Sequence, residues 1–190
     1  MVTLVTPSAD WLPAYRDALA AGWSPSTVRA ADVAREQLDA IARDPAAFLA
    51  TLDQPQPGGP PVVLPDGSTV PRLPQITRWI TDGATFLGTI SLRWQPGTDA
   101  LPPHVLGHIG YAVLPAHRGR GHATAALALM LAEAAARGLR RVDLTVEPAN
   151  RASIRVIEKN GGRRVERFDR PASYGGGVAL RYAISLAPGG

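Results

Sequence analysis

Apolar residues along the chain change their spacing repeatedly, and each change marks an element. Residues 2–5 (VTLV) read as a strand. Beyond them Trp11, Tyr15, Ala18 and Leu19 share one helical face, with Ser8 and Asp10 as candidate caps. Residues 30–52 form a second helical stretch carrying Val33, Leu38, Ile41 and Leu49, broken at Asp44-Pro45. The run ITRWITDGATFLGTISLRW holds two β-rich segments around Asp82-Gly83, a hairpin signal. Residues 108–114 read as a strand, and the Ala/Leu/Met run up to Gly138 as a helix. Residues 141–147 alternate, with Val142, Leu144 and Val146 on one side. NRASIRVIEKNGG has the form of a helix with Asn150 at its cap. RRVERF and VALRYAISL close the chain as strands. The expected order is β-αα-ββ-β-α-β-α-β-β. It is an α/β layout in which the strand–helix–strand run at 108–147 implies parallel neighbours in a mixed sheet.

Composition narrows the class. The 190 residues fit one domain over 1–190, with the Pro- and Gly-dense stretch 53–74 as an internal loop. The 45% apolar content supports a core. No run of 18 apolar residues is present, so no membrane span is expected. The N-terminus lacks the basic start and apolar stretch of a signal peptide. The absence of cysteine excludes a disulfide framework, a thiol nucleophile and cysteine-bound metal, and fits a cytoplasmic protein. A net charge of +4, spread over scattered arginines, suits a small anionic ligand at least as well as nucleic acid. No basic face with interleaved aromatics is evident.

The stretch 114–138, LPAHRGRGHATAALALMLAEAAARG, carries the chemistry. A helix start has unpaired N–H groups and partial positive charge, and normally takes an acidic or hydroxyl cap. Here Arg118, Gly119, Arg120 and Gly121 add positive charge instead, so a negative group has to come from outside the sequence. Strand, glycine turn and helix start together form a phosphate cradle. There is no Gly-Lys-Ser/Thr P-loop and no G-x-G-x-x-G dinucleotide fingerprint. The competing reading is an ordinary glycine-rich turn with solvated arginines. His104, His108, His117 and His122 fall in one short segment, but no carboxylate cluster accompanies them and no metal site is expected.

Arg118-x-x-Gly121-x-Ala123, after a strand ending Tyr111-Ala112-Val113, resembles the coenzyme A signature of the GNAT N-acetyltransferase superfamily. Asn150-x-x-Ser153 and Glu158-Lys159-x-Gly161 are similar to its second cofactor-contacting segment. GHIGYAV and NRASIRVIEKNGG resemble a bacterial subgroup of predicted acetyltransferases. The resemblance covers nearly the whole chain. It implies a GNAT fold with a mixed sheet of roughly six to seven strands, splayed at the cofactor site and flanked by about four helices. It further implies that N–H groups of residues 119–124 (Gly119, Arg120, Gly121, His122, Ala123, Thr124), with Arg118, hold the pyrophosphate of acetyl-CoA. The main chain of Tyr111, Ala112 and Val113 would pair with the pantetheine arm, Asn150 would bind near the reactive end, and Ser153 would contact the cofactor from the same segment.

What the resemblance does not supply is a proton donor. Many relatives carry a tyrosine seven residues after the asparagine; here that position is Ile157. Tyr174 and Tyr111 are the substitutes considered, and His108 and Glu147 the candidate bases. Thr145 stands where relatives that use a base on that strand often have glutamate. The expected activity is direct acetyl transfer to a primary amine of a small molecule. The alternatives are a non-catalytic acyl-CoA-binding module, or an acetyltransferase for a protein or aminoacyl-tRNA amine. Acetyl-CoA is the expected cofactor, with neither a membrane nor nucleic acid as partner. A homodimer stays open. The acceptor is expected beside the first two helices, the loop 53–74 and residues 170–177.

Overall fold

The computed structural model describes residues 1–27, 29–64 and 67–186. In order they form β1 (Thr3–Val5), α1 (Leu12–Ala20), α2 (Ala30–Arg43), α3 (Pro45–Leu52), β2 (Asp53–Gln54), β3 (Val62–Val63) and β4 (Thr69–Val70). Then come β5 (Gln75–Thr81), β6 (Phe86–Arg93), β7 (Ile109–Val113), α4 (His122–Ala136), β8 (Arg141–Val146), α5 (Arg151–Lys159), β9 (Arg163–Asp169) and β10 (Val178–Ser185). The expected strand and helix order is present. The break at Asp44 separates α2 from α3, whose start Asp44 caps by accepting the Ala47 N–H at 3.0 Å. The loop 53–74 holds three two-residue strands that its composition did not signal. Ser8 and Asp10 do not cap α1: its N-cap position is Trp11 and no side chain bonds there.

The sheet divides into two ladders where the resemblance implied a splay, and what differs from expectation is the pairing. One ladder runs β1-β5-β6-β7 with β2 also on β5, and a second runs β8-β10-β9. Every ladder among the described residues is antiparallel, so β7 and β8 are not paired as parallel neighbours. The crossover through α4 does bring β8 beside β7, but the two strands diverge before a ladder can form.

Two apolar clusters hold the layers. On one side α4 lays Ala126, Leu127, Met130 and Ala134 against Ile90, Leu92 and the β8 residues Val142 and Leu144, all buried. On the other, α1, α2 and α3 pack Tyr15, Leu19, Ile41 and Phe48 around Trp79 and Phe86. Tyr15 stacks on Trp79 at 4.9 Å between ring centres. Covered on both faces, β6 is buried along nearly its whole length, which explains its almost unbroken apolar run. Trp79, Trp94 and Phe86 all belong to this packing.

Candidate active site

The site begins where the two ladders part. The approach to β7 is stitched to β8: His108 N–H donates to Asp143 O at 2.7 Å, Asp143 N–H donates to His108 Nδ1 at 2.9 Å, and Thr145 Oγ1 donates to Leu106 O at 2.5 Å. Gly107 permits that contact, since a Cβ there would lie 3.1 Å from Asp143 O. The carbonyl of His108 turns the other way and accepts from Arg93 N–H on β6 at 2.9 Å. His108 is therefore the pivot. Beyond it β7 follows β6, and Leu114 N–H donates to Leu87 O. Backbone groups alternate along a strand. With Leu114 directed at β6, those of Tyr111 and Val113 lie on the opposite, unladdered edge that faces the gap. Val113 O accepts there from Arg118 Nε at 3.0 Å.

The chain then turns through Pro115–His117 into α4. Gly119 and Gly121 have φ of +77° and +82°, the left-handed region that side chains resist, and Gly121 is the N-cap residue. A Cβ on either would meet nothing within 4 Å, so internal packing does not require these glycines. The first helical bond joins Ala125 N–H to Gly121 O. The N–H groups of His122, Ala123 and Thr124 precede it and have no partner in the helix. Among the described residues no side chain caps α4, and its first turn has no acid. These are the properties of an anion cradle, and a diphosphate fits them by charge and by donor set.

Opposite stands α5, capped by Asn150, whose Oδ1 accepts the Ser153 N–H at 3.0 Å. Tyr111 O–H donates toward Ser153 O at 3.4 Å across the gap, and Asn160 Nδ2 donates to Thr124 O at 3.2 Å, tying α5 to the start of α4. These pieces enclose a cleft of about 700 Å³. It is lined by Tyr111, Ala112 and Val113, by the turn from Arg118 to Thr124 except Arg120, and by Asn150 and Ser153.

A family model described as the acetyltransferase (GNAT) family matches residues 62–162. The chain belongs to the GNAT acetyltransferase family. No curated protein matches the sequence. Among solved structures, the acetyltransferase is similar to the microcin C7 self-immunity acetyltransferase MccE in complex with acetyl-CoA and AMP. The two share 12% identity and a TM-score of 0.62, over 97% of this chain and 92% of that one. It is similar also to RimL, a ribosomal L7/L12 α-N-protein acetyltransferase in complex with coenzyme A, at 15% identity and a TM-score of 0.61 over 97% and 94%. Mycobacterium smegmatis RimJ with a coenzyme A disulfide aligns at 20% identity and a TM-score of 0.59 over 97% and 81%. The expected fold class is thus present, and the chain is an acyltransferase whose acyl donor is acetyl-CoA.

The candidate catalytic side chains of the acetyltransferase fall outside this cleft. His108 is 1% exposed, its Nδ1 lone pair is taken by the Asp143 N–H, and its Nε2 has no partner among the described residues. Burial holds its pKa below the ordinary histidine value, against the pull of Asp143. Glu147 points to Arg170, with Oε1 2.8 Å from Nη2. Tyr174, in a short turn at 172–174, donates its hydroxyl to His104 O. Ile157 is buried in the core, where its Cγ2 would lie 2.3 Å from a Cβ at residue 162, so the Gly161-Gly162 ending accommodates it. Of the side chains weighed as proton donors, only Tyr111 lines the cleft. Burial raises the pKa of its phenol.

Of the segments expected beside the acceptor, only the region of the first two helices borders the cleft; the described residues of 53–74 and 170–177 do not line it. Gly22, Trp23, Ser24, Ser26 and Thr27, in the connection between α1 and α2, border the cleft. His117, Arg155 and Lys159 also line it. The Gly/Ser/Pro content of 22–27 signals a loop, but nothing local says which strand the loop will cover. The helical phase of α5 could have flagged Arg155 and Lys159, since both stand one turn or more beyond Asn150 on the side of Ala152 and Val156.

Proposed function

We propose that the chain transfers the acetyl group of acetyl-CoA directly to a primary amine of a small molecule, and that the amine is of the weakly basic, α-amino kind. The observation that carries this reading is the meeting of three features in one cleft: the uncapped start of α4, the free edge of β7, and the α5 start at Asn150. N–H groups of residues 119–124 and Arg118 would hold the diphosphate, the edge of Tyr111–Val113 the pantetheine arm, and Asn150 and Ser153 the region near the thioester. Bound acetyl-CoA would supply the activated acyl group. The N–H of Val113 would stabilise negative charge on the acyl oxygen. Tyr111, kept protonated by its buried setting, would give the departing sulfur its proton, in the part first considered for Tyr174.

The preference for an α-amine follows from the lining. Among the described residues bordering the cleft none is a carboxylate, and His108 and Glu147 are committed elsewhere. Neutralising a lysine-like amine at pH 7 takes roughly 4–5 kcal/mol, whereas an α-amine takes only about 1. The latter can lose its proton through water without a dedicated base. A protein N-terminus is the second reading, since it presents the same kind of amine and RimL bears that activity in its name.

Thiol release should be measured with acetyl-CoA and a panel of amino-acid amides, simple alkylamines and short peptides. Turnover confined to α-amino compounds supports the proposal, and peptides far better than single residues would favour the second reading. Coenzyme A binding with no turnover on any amine would leave a binding module and overturn it.

A further inference from the structure

A second concavity lies on the other side of α5, with a volume of about 880 Å³. Its walls are α5 and β9, and its floor includes Leu180 and Tyr182 of β10. Arg151, Arg155, Arg163, Arg164 and Arg167 line it, with Glu158 as the one carboxylate among the described residues. We infer that this groove is a docking site for a carboxylate-rich polypeptide segment.

The clustering of arginines has a structural cause. Successive strand residues alternate between faces, so Arg164 and Arg167, three apart, would ordinarily face opposite ways. The β9–β10 register slips at this point: Arg167 pairs with Leu180, Arg181 with Glu166, and Tyr182 with Arg164, leaving Val165 as an extra residue. The bulge brings Arg164 and Arg167 onto the face of Leu180 and Tyr182, the floor of the groove. On the opposite wall Arg151, Arg155 and Glu158 recur at helical spacing on one side of α5.

These guanidiniums form no ion pair among the described residues, whereas their neighbours Arg170 and Arg181 are paired with Glu147 at 2.8 Å and Glu166 at 3.2 Å. Glu158 is engaged by the Tyr182 hydroxyl at 3.2 Å. Five unpaired planar forks around one concavity match carboxylates, which guanidinium binds in bidentate fashion. Phosphates carry the same charge, but a single-stranded nucleic acid needs exposed rings on which to stack its bases. Among the described residues of the lining, the only aromatic is Tyr182, 4% exposed. Arg155 borders both this groove and the cofactor cleft, so the two share a rim. The inference concerns binding and stands apart from the transfer reaction.

The test is fluorescence anisotropy of a labelled oligo-glutamate peptide on the full chain, against labelled oligo-uridylate RNA of equal charge. The Arg163→Gln, Arg164→Gln, Arg167→Gln variant should bind the peptide about tenfold or more weakly, each lost contact being worth roughly threefold. A variant with the same charge loss elsewhere, Arg16→Gln, Arg35→Gln, Arg43→Gln, should bind within about twofold of the parent chain. Coenzyme A calorimetry on the first variant verifies the fold. If that variant melts early, Arg167→Glu alone supplies the same comparison. Equal weakening by both triple variants would reduce the effect to net charge and overturn the proposal. So would tighter binding of RNA than of peptide, or no peptide binding at low salt.

Discussion

Two helices start side by side at the cleft, and they are finished differently. The start of α5 is completed from within: Asn150 caps it and Ser153 supplies the N–H that the cap needs. The start of α4 has a left-handed glycine where the cap belongs, two arginines just before it, and no acid in its first turn. A helix end left uncompleted forfeits about 1 kcal/mol. On the proposed reading, α4 surrenders stability so that its donors remain available to a ligand, while the α5 cap holds the opposite wall in place.

The sharpest way to break this contrast is to finish α4 as α5 is finished. Gly121→Asp brings an acid to the free N–H groups and repels a diphosphate. Calorimetry should show coenzyme A affinity lower by about a hundredfold or more, roughly 3 kcal/mol, from lost donors, repulsion and left-handed strain. Tyr111→Phe removes the one phenol in the cleft. It should lower kcat by about thirtyfold while leaving the KM for acetyl-CoA within about twofold, as read from steady-state thiol release.

His108 links the comparison to pH. Its folded pKa is depressed by burial, so the folded chain holds this ring neutral while the unfolded chain protonates it near pH 6.5. The stability from a neutral His108 is therefore fully present above about pH 6.5. It falls as pH drops toward the depressed folded value, by up to about 1.4 kcal/mol per pH unit. Melting temperatures from pH 7.5 down to 5.5 should decline accordingly, and His108→Gln should flatten the decline while remaining active. The smallest effect is expected from Asn150→Ala. Loss of the cap should lower stability by about 1 kcal/mol, a shift of about 2–4 °C in Tm, with only a few-fold loss of coenzyme A affinity.

Most of the fold was legible because local rules decided it. Asp82-Gly83 sits in the connection between β5 and β6, where the Asp82 carboxylate accepts the Ala84 and Thr85 N–H groups, and Asp44-Pro45 sets the break between two helices. The gathering of these residues around one cleft was legible for the same reason: glycines, arginines and a strand lie within a dozen residues of one another. The parting of β7 from β8 was legible only through the family resemblance, because strand–helix–strand order predicts adjacency and says nothing about one histidine bonding to both neighbours. The partners of the candidate catalysts were hidden for a related reason. Chemistry at the right sequence position cannot reveal that Glu147 meets Arg170, or that the Tyr174 hydroxyl meets a backbone carbonyl, since both partners come from distant segments. The wall at residues 22–27 and the arginine groove also depend on long-range packing, the latter on a single bulge at Val165.

The central claim is that amides at the start of α4 bind the diphosphate of coenzyme A. The direct measurement is an amide NMR titration, first with coenzyme A and then with pantetheine, which lacks the diphosphate. The account predicts that the Gly119–Thr124 amides move strongly with coenzyme A and little with pantetheine, while those of Ser153 and its neighbours respond to both. Saturable coenzyme A binding that leaves the Gly119–Thr124 amides unmoved would contradict it.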